Sequence, residues 1–359
     1  MGELYAVIMA GGRGSRFWPR SRKKRSKQTL NIIGKNTMIQ DTVRRALPLI
    51  PAEKIFIVTN DLLLGQIREQ VPEIPSDNVI AEPVSRSTAP CIGLAAVMLR
   101  KRDPEAVMAC FAADHLVENR DRFIADINFA VKTAVEKDSL VIFGIPPKRP
   151  ETGFGYIHAG EIVAESDYDP ARRVLKFVEK PDMPTAEAFI KDPDYFINSG
   201  MFVWKVDTFM REVERYLPDM HAGLERISGA LGTPLEIKEI GENFAAFESI
   251  SVDHGILEKS ERVIMVHAGF GWDDIGSWES LYHVWPKDAN GNACVGRKLT
   301  IDTKNCLVFS PKKLVAAIGL EDIIIVETDD ALLVCKKDRA QNVSGIIEEL
   351  RKKKWEEYL

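Results

Sequence analysis

A glycine-rich loop near the N-terminus carries the residues best suited to bind phosphate groups. The apolar run 4–10 leads directly into Gly11-Gly12-Arg13-Gly14-Ser15-Arg16, and Lys27 follows. Glycines let backbone N–H groups approach anionic oxygens without a Cβ atom in the way. Arg16 and Lys27 can add charge-assisted hydrogen bonds, each worth roughly 1.5–3 kcal/mol. The loop therefore predicts a polyphosphate site.

Two common phosphate-binding loops are excluded by the same stretch of sequence. A Walker A loop ends in Lys followed by Ser or Thr, and no such pair closes this one. A dinucleotide fingerprint has a third glycine and opens into a helix. Here Phe17 stands in place of that glycine, and Pro19 disfavours a helical Trp18. The loop is therefore a different kind of nucleotide site or a simple turn between two elements.

Two aspartates from distant parts of the chain could bind a metal ion. Asp114 follows an apolar strand, and Asp274 lies next to Asp273 in the glycine-containing turn 270–278. Mg²⁺ binds one or two carboxylates, keeps several waters and takes its other ligands from substrate phosphates. We therefore predict a Mg²⁺ site formed by Asp114 and Asp274. The alternatives are that Asp273 is the ligand, or that one of the pair caps a helix starting near Gly276.

Two further motifs could contact a polar ligand. Glu179 and Lys180 are adjacent strand residues before Pro181, so their side chains should point to opposite faces. If the backbone bends there, Lys180 could meet a phosphate while Glu179 binds sugar hydroxyls; otherwise the motif is a surface turn. The segment 152–156, Thr-Gly-Phe-Gly-Tyr, is either a glycine hairpin or a surface on which a flat polar ligand lies against the backbone.

The elements that must position these residues alternate regularly in the first half of the chain. Helical patterns over 37–49 and 89–102 lie between the apolar runs 54–59, 106–111 and 140–144. Continuously apolar strands that alternate with helices predict an α/β fold, with a largely parallel sheet that binds ligands beyond the carboxyl ends of its strands.

From about residue 150 the pattern becomes mixed, with turns rich in glycine and proline. We predict a larger α/β domain over 1–285 and a smaller β-rich module over 286–359, separated by a turn-rich segment. The module should contain short strands and end in a charged helix over 338–357. The predicted strands lie near 299–303, 305–310, 313–318, 322–328 and 331–336.

Composition restricts the class of partner. The chain has 359 residues, of which 45% are hydrophobic and 28% are charged, and these fractions are ordinary for a globular protein. Its net charge of −5 gives no reason to expect nucleic-acid binding. No apolar stretch approaches the roughly 18 residues needed to cross a bilayer, and the N-terminus lacks the basic region of a signal peptide. We expect a cytoplasmic protein that binds neither nucleic acid nor membranes.

Taken in order along the chain, the motifs resemble those of the sugar-phosphate nucleotidyltransferases, and most closely those of the mannose-1-phosphate guanylyltransferases. The resemblance covers nearly the whole chain, and seven segments in family order make it specific. These segments are 11–19, 82–90, 113–115, 152–156, 177–181, 198–202 and 272–278. The resemblance implies the nucleotidyltransferase fold, a Rossmann-like mixed and mostly parallel sheet flanked by helices, followed by the C-terminal β module.

The resemblance also implies an activity and a role for individual residues. GMP would pass from GTP to mannose 1-phosphate, giving GDP-mannose and pyrophosphate, with Mg²⁺ as cofactor bound by Asp114 and Asp274. The catalytic cations would be Arg16, Lys27 and Lys180. The nucleotide would lie against Ala10, Gly11, Gly12, Gly14, Ser15, Glu82, Pro83, Arg86, Thr88 and Ala113. The hexose would lie against Gly153, Gly155, Tyr156, Glu179 and Asn198.

Two alternatives to this activity stay open at the level of sequence. One is a related transferase that uses another nucleoside triphosphate or hexose 1-phosphate. The other is a catalytically silent nucleotide-sugar sensor, which is disfavoured because such a protein would be expected to lose a metal aspartate or a loop cation. A homodimer is expected, and the C-terminal strands could pack either on the larger domain or on a second subunit as the dimer interface.

Overall fold

The computed structural model describes residues 2–359 and divides into two compact units. The first unit contains residues 2–11, 42–113 and 117–272, and the second contains 12–41, 114–116 and 273–359. The chain thus passes between the units five times, and three of these passages fall inside motifs, at 11/12, 113/114 and 272/273. The predicted boundary at residue 286 stays a prediction.

A nine-stranded sheet lies at the centre of the first unit. The strands of the whole chain are β1 (Leu4–Met9), β2 (Ile55–Asn60), β3 (Val79–Glu82), β4 (Val107–Ala112), β5 (Leu116–Val117), β6 (Leu140–Ile145), β7 (Tyr156–Ala164), β8 (Ala171–Val178), β9 (Tyr195–Lys205), β10 (Val263–His267), β11 (Trp272–Asp273), β12 (Ala293–Ile301), β13 (Leu307–Ile318), β14 (Ile323–Glu327) and β15 (Leu332–Lys336). The sheet order is β3-β2-β1-β4-β9-β6-β10-β8-β7.

The directions of these strands confirm the predicted mixed, mostly parallel sheet. Among the nine strands of the described chain, seven run one way, and only β8 and β9 run the other way. The predicted apolar runs correspond to β2, β4 and β6. Their residues are buried almost throughout, as expected for parallel strands covered on both faces.

The chain also contains α-helices in both units. They are α1 (Met38–Ala46), α2 (Asp61–Gln70), α3 (Thr88–Arg102), α4 (Arg120–Lys137), α5 (Met183–Phe189), α6 (Val206–Tyr216), α7 (Pro218–Ala230), α8 (Glu236–Ala246), α9 (Trp278–Val284) and α10 (Ser344–Lys352). The helices predicted over 37–49 and 89–102 correspond to α1 and α3. Of the helices in residues 2–359, none has the length and apolar character needed to span a membrane.

The C-terminal strands form a separate four-stranded sheet in the second unit, in the order β12-β13-β14-β15. The first three are parallel and β15 is antiparallel. The two strands predicted over 305–318 are a single strand, β13. The helix predicted over 338–357 is wrong at both ends. Residues 337–343 form 3₁₀ turns that bury Ala340 and Val343, three residues apart, and Lys354 has a positive φ of 58° just beyond α10.

The core of the second unit joins the glycine loop to the end of the chain. Phe17 and Trp278 pack with their ring centroids 5.1 Å apart, and both are fully buried. The indole N–H of Trp278 donates to the carbonyl of Trp18 at 3.1 Å, and the indole of Trp18 donates to the carbonyl of Tyr358 at 2.9 Å. The residues after the glycine loop are therefore fixed by the C-terminal residues.

Candidate active site

Two motifs of the first unit begin side by side where neighbouring parallel strands end. Met9 of β1 is paired with Ala112 of β4, and the N–H of Ala113 donates to the carbonyl of Met9 at 3.0 Å. Ala10 and Ala113 therefore follow adjacent strand ends, which is where ligands bind in open α/β sheets. The chain passes from Gly11 and from Ala113 into the second unit.

A buried lysine organises the charged residues of the second unit. The ammonium of Lys27 lies 2.9 Å from Oδ2 of Asp114 and donates to the backbone carbonyl of Asp274 at 2.6 Å. Its side chain is only 5% exposed, whereas that of Asp114 is 29% exposed. We call Lys27, Asp114 and Asp274 the lysine cluster. Residues distant in sequence are thus brought together as the motifs predicted.

The position of Lys27 explains why residue 14 is a glycine. Gly14 has a φ of +61°, and a Cβ atom there would lie 2.4 Å from the Cβ of Lys27. The loop is also tied down by side chains, since Ser21 Oγ donates to the carbonyl of Gly14 at 2.7 Å and Gln28 Nε2 to that of Gly12 at 2.9 Å. Close approach and a left-handed backbone both exclude a larger residue at position 14.

The lysine cluster holds more negative charge than its lysine balances. Burial raises the pKa of Asp274 to about 6; Lys27 and Arg16 oppose this shift, while Asp273 and Asp114 add to it. Burial alone would also raise the pKa of Asp114, but Lys27 and His115 hold it below the ordinary value. Hard oxygen donors with surplus negative charge fit a divalent cation of the Mg²⁺ type.

The capping alternative for the two neighbouring aspartates is wrong. Ser277 is the N-cap of α9, and its hydroxyl accepts the N–H of Ser280 at 3.4 Å. Asp273 Oδ1 instead accepts the N–H of Ile275 at 2.7 Å, and Asp274 Oδ1 accepts that of Gly276 at 3.0 Å. In residues 2–359, no group of three or more His, Cys, Asp or Glu side chains is arranged to hold a metal. The choice of Asp274 over Asp273 as metal ligand stays a prediction.

Arg16 is exposed and lies next to this turn. Its Nη1 donates to the carbonyl of Gly276 at 3.2 Å and to Gln341 Oε1 at 3.0 Å. Ser15 begins the short 3₁₀ turn that carries Arg16. Gln341 is a contact that sequence reasoning missed, because nothing in its neighbourhood forms a motif.

Glu82 is the predicted nucleotide residue with the most unusual surroundings. It ends β3 and is 3% exposed, and its Oε1 has no hydrogen-bond partner among the described residues. Its Oε2 lies 3.6 Å from where a Cβ on Gly11 would be. Burial raises the pKa of Glu82 to about 7, although a hydrogen bond from Cys91 acts to lower it. A buried acceptor without a partner points to a ligand that donates hydrogen bonds.

The other predicted nucleotide residues of this segment make structural contacts. Nε of Arg86 donates to the carbonyl of Phe244 at 3.0 Å, and its Nη2 donates to Ala245, so its guanidinium binds the C-terminal end of α8. Thr88 Oγ1 accepts the N–H of Val252 at 2.9 Å. Pro83 follows Glu82 and is exposed. The nucleotide-binding roles of these residues stay predictions.

Strand register brings three of the predicted sugar-binding residues together in the first unit. Tyr156 of β7 pairs with Val178 of β8 and with Ile197 of β9, so the next residues along, Gly155, Glu179 and Asn198, meet at one end of the sheet. The N–H of Asn198 donates to the carbonyl of Gly155 at 2.8 Å. A Cβ on Gly155 would lie 2.5 Å from Glu179 Oε2.

Lys180 shows that the backbone bends at this point. Strand β8 ends at Val178, and Lys180 has a φ of +47°. Its ammonium forms an ion pair with the Glu179 carboxylate, and its side chain is 59% exposed. The expectation that the two side chains point to opposite faces is wrong, because residue 180 no longer has strand geometry. A left-handed non-glycine residue costs roughly 1–2 kcal/mol.

The remaining two residues predicted to contact the hexose differ in exposure. Tyr156 is fully buried, and its hydroxyl accepts the N–H of Glu151 at 2.9 Å. Its ring therefore belongs to the core rather than to the group formed by Gly155, Glu179 and Asn198. Gly153 is exposed, and a Cβ there would have no atom within 4 Å. The sugar contacts of both stay predictions.

One acidic residue beside this group was missed by sequence reasoning. Asp253 begins a π-helical turn, Asp253–Leu257, and its Oδ1 accepts a hydrogen bond from Asn198 Nδ2 at 2.9 Å. We call Gly155, Glu179, Asn198 and Asp253 the β7 cluster. The sequence around Asp253, Ser-Val-Asp-His, has no charge pairing or glycine spacing that would single it out.

Comparison with known proteins identifies the family to which the chain belongs. The family model for nucleotidyl transferases matches residues 5–291, and that for a MannoseP isomerase/GMP-like beta-helix domain matches 296–350. Proteins from Klebsiella pneumoniae and Escherichia coli K12, both named mannose-1-phosphate guanylyltransferase, are 37% and 36% identical over 99% and 97% of this chain. The chain spans about three quarters of each relative, 75% and 74%.

A solved structure is similar over almost its full length. A crystal structure from Thermus thermophilus, described as a mannose-1-phosphate geranyltransferase, superposes with a TM-score of 0.86 at 31% identity. The match covers 97% of this chain and 99% of that one. The chain belongs to the nucleotidyl transferase family and, within it, to the mannose-1-phosphate guanylyltransferases.

Proposed function

We propose that this protein transfers GMP from GTP to mannose 1-phosphate, releasing pyrophosphate and forming GDP-mannose. The observation that carries the proposal is the lysine cluster, in which the buried ammonium of Lys27 contacts the carboxylate of Asp114 and the backbone carbonyl of Asp274. A polyphosphate and a divalent cation are the ligands that this combination of charges suits. The relatives from Klebsiella pneumoniae and Escherichia coli K12 carry the name of the enzyme that catalyses this reaction.

The chemistry needs positioning and charge neutralisation rather than a general base. An oxygen of the sugar phosphate, already anionic near neutral pH, attacks the α-phosphorus in line, and the bond to the departing pyrophosphate breaks. The obstacle is the approach of two anions, which favours fixed cations around the phosphates. We assign Arg16 and Lys27 to the triphosphate and Lys180 to the sugar phosphate.

Asp114 and Asp274 would hold Mg²⁺ in this scheme. When bound there, the ion supplies positive charge to the phosphates and helps to orient them. The surplus negative charge of the lysine cluster supports this assignment. Replacing Asp274 by Asn should therefore weaken Mg²⁺ binding, measured calorimetrically in the presence of a non-hydrolysable GTP analogue, by at least about tenfold.

Glu82 is our candidate for reading the guanine base. Guanine presents two N–H donors, at N1 and N2, to a carboxylate, whereas adenine presents an acceptor at N1 that the same carboxylate would repel. A site built for hydrogen bonds rejects a ligand that leaves them unmade. Glu82→Gln should lower kcat/KM for GTP by about 10- to 100-fold and change that for ATP far less. An equal loss with both nucleotides would contradict this role.

The hexose would lie against the β7 cluster, with Gly153 and Tyr156 nearby in sequence. Carboxylate and amide groups such as those of Glu179 and Asn198 match the hydroxyls of a sugar, and the exposed ammonium of Lys180 is free to turn towards a phosphate. These features support a hexose phosphate; the choice of mannose comes from the relatives' names.

We also propose that the protein forms a homodimer through its C-terminal sheet. Leu299 and Ile301 of β12 and Leu314 and Ile318 of β13 are each at least half exposed, and Ile301 pairs with Ile318. Adjacent exposed apolar side chains of this kind mark association surfaces. Light scattering should give the mass of two chains for the wild type and of one chain for Ile318→Lys. A wild-type mass of one chain at micromolar concentration would contradict the dimer.

The function as a whole is tested by pyrophosphate release. GTP, ATP, UTP and dTTP would each be supplied with Mg²⁺ and either mannose 1-phosphate or glucose 1-phosphate. Release confined to GTP with mannose 1-phosphate supports the proposal. Release with a different pair keeps the mechanism and replaces the substrate. No release from folded protein with any pair overturns the proposal in favour of a silent nucleotide-sugar sensor.

A further inference from the structure

Asp253 is a partly buried carboxylate that forms no ion pair with the described residues, 2–359. Within this range, the side-chain group that donates to it is the neutral amide of Asn198, at 2.9 Å. Burial and the neighbouring Glu179 carboxylate raise the pKa of Asp253 to about 6, while Lys180 and His254 oppose the shift. His254 is itself engaged by Glu258, whose Oε2 lies 3.0 Å from its Nδ1. The exposed Lys180 thus forms an ion pair with Glu179 and acts on Asp253 through its charge alone.

Another carboxylate in the same unit, that of Asp138, has several cationic partners. Asp138, at the C-terminal end of α4, accepts from Lys205 at 2.7 Å, from Arg211 at 2.6 Å and from Thr208 at 2.6 Å. Burial alone would raise the pKa of Asp138, but these contacts hold it well below its ordinary value. The contrast shows that the fold can surround an aspartate with cations, and that it does not do so at Asp253.

The composition of the β7 cluster indicates which ligand would complete it. Asn198 uses one N–H on Asp253, and its Oδ1 accepts the N–H of Gly200 at 3.3 Å, so its orientation is fixed. If Lys180 turns to a phosphate, Glu179 loses its ion-pair partner and Asp253 loses one of the positive charges that act on it. Neutral donors such as sugar hydroxyls then satisfy carboxylate oxygens without adding charge, through charge-assisted hydrogen bonds.

We propose that Asp253 is a further sugar-binding residue, with one oxygen holding Asn198 in place and the other accepting a hydroxyl of the hexose. This inference rests on the proposed function, because it places the sugar of the substrate at the β7 cluster. Asp253 would then contribute to discrimination between hexose phosphates, because a sugar without that hydroxyl would leave the carboxylate oxygen without its hydrogen bond.

The test combines Asp253→Ala and Asp253→Asn with deoxy analogues of the sugar phosphate. Steady-state kinetics would be measured with mannose 1-phosphate and with its 2-, 3-, 4- and 6-deoxy forms. We expect Asp253→Ala to lower kcat/KM for the parent sugar by about 10- to 100-fold, through the KM of the sugar phosphate, with the KM of GTP unchanged. Asp253→Asn, which keeps an acceptor for Asn198, should behave similarly in a fully folded protein.

The decisive readout is the pattern across the analogues. The kcat/KM of the wild type should be about 10- to 100-fold lower for one deoxy sugar than for the parent sugar. The kcat/KM of Asp253→Ala for that deoxy sugar should lie within about twofold of its value for the parent, because the variant and the deoxy sugar lack the same contact. A constant ratio of variant to wild type across all five sugars would overturn the proposal and leave Asp253 only a structural role. The exposed Asp167, replaced by Ala, serves as the control that should change nothing.

Failure of this inference is distinguishable from failure of the proposed function. If the wild type turns over another hexose 1-phosphate instead, the deoxy series of that sugar replaces the mannose series and the test of Asp253 proceeds unchanged. If the wild type is active and the ratio is constant, only the inference about Asp253 fails.

Discussion

The lysine cluster and the β7 cluster use similar residues to different effect. Each contains two acidic side chains and has a lysine and a glycine close by: Lys27 with Gly14 in the first, and Lys180 with Gly155 in the second. In the first, the lysine is 5% exposed and makes fixed contacts with Asp114 and Asp274. In the second, Lys180 is 59% exposed and the Glu179 carboxylate beside it is 7% exposed. A buried lysine is part of the fold, whereas an exposed one is available to a ligand.

Replacing each of the two lysines in turn is the most direct test of this contrast. Lys27→Ala should abolish turnover, by at least about 100-fold, and also lower the free energy of unfolding by about 3 kcal/mol, because it leaves Asp114 without its buried partner. Lys180→Ala should lower turnover at least about tenfold without changing stability, since exposed ion pairs contribute little. Urea unfolding and initial rates would separate the two, and equal stability losses would contradict the contrast.

Arg16 tests whether an exposed cation in the lysine cluster's own unit behaves like Lys180. Arg16→Ala should reduce turnover at least about tenfold with an intact fold, because one charge-assisted phosphate contact is lost. The exposed Lys24, in the same loop region, provides the control, and Lys24→Ala should retain wild-type rates. Wild-type turnover in folded Arg16→Ala would remove Arg16 from the mechanism.

The two glycines give a smaller and more discriminating test. A Cβ at position 14 would meet the Cβ of Lys27 at 2.4 Å with φ at +61°, while a Cβ at position 155 would meet Oε2 of Glu179 at 2.5 Å. The first obstacle is rigid, and the second is the tip of a side chain that can move. Gly14→Ala should therefore destabilise the protein by about 1–3 kcal/mol, and Gly155→Ala should mainly raise the KM of the sugar phosphate. Thermal unfolding and KM measurements check both.

The smallest effect concerns pH and the β7 cluster. A folded-state pKa of about 6 for Asp253 against 3.8 in the unfolded chain means that the ionised group destabilises the fold as pH rises between these values. Asp253→Asn removes this cost, so its stability relative to the wild type should increase from pH 4 to pH 7 by about 1–3 kcal/mol. Urea unfolding across that range measures it, and a difference independent of pH would contradict the raised pKa.

Much of the fold follows from local patterns, and the exceptions have physical causes. The alternation of apolar strands with helices predicts β1, β2, β4 and β6 with their helices. The reversed directions of β8 and β9 depend on pairing between residues far apart in sequence, which no local pattern encodes. The 3₁₀ turns at 337–343 replaced a predicted helix because burial of Ala340 and Val343 selected the tighter spacing.

The candidate site was predictable where a residue belonged to a motif and not elsewhere. Motif order was enough to predict that Asp114, Asp274 and Lys27 lie together. Nothing in the sequence indicates that Lys27 is buried, that Arg86 binds the end of α8, or that Asp253 joins Asn198. Each of these depends on a tertiary contact across many residues, such as the separation of 55 between Asn198 and Asp253.

The bond between the indole of Trp18 and the carbonyl of Tyr358 has a consequence for how the protein is made. These residues are 340 positions apart. At roughly 5–20 residues per second, translation needs on the order of 15–70 s to connect them. The glycine loop therefore leaves the ribosome well before Tyr358 and cannot complete its packing until Tyr358 has been made. A nascent chain can build its central sheet once β10 has been made, yet the indole of Trp18 gains this partner only about 90 residues later.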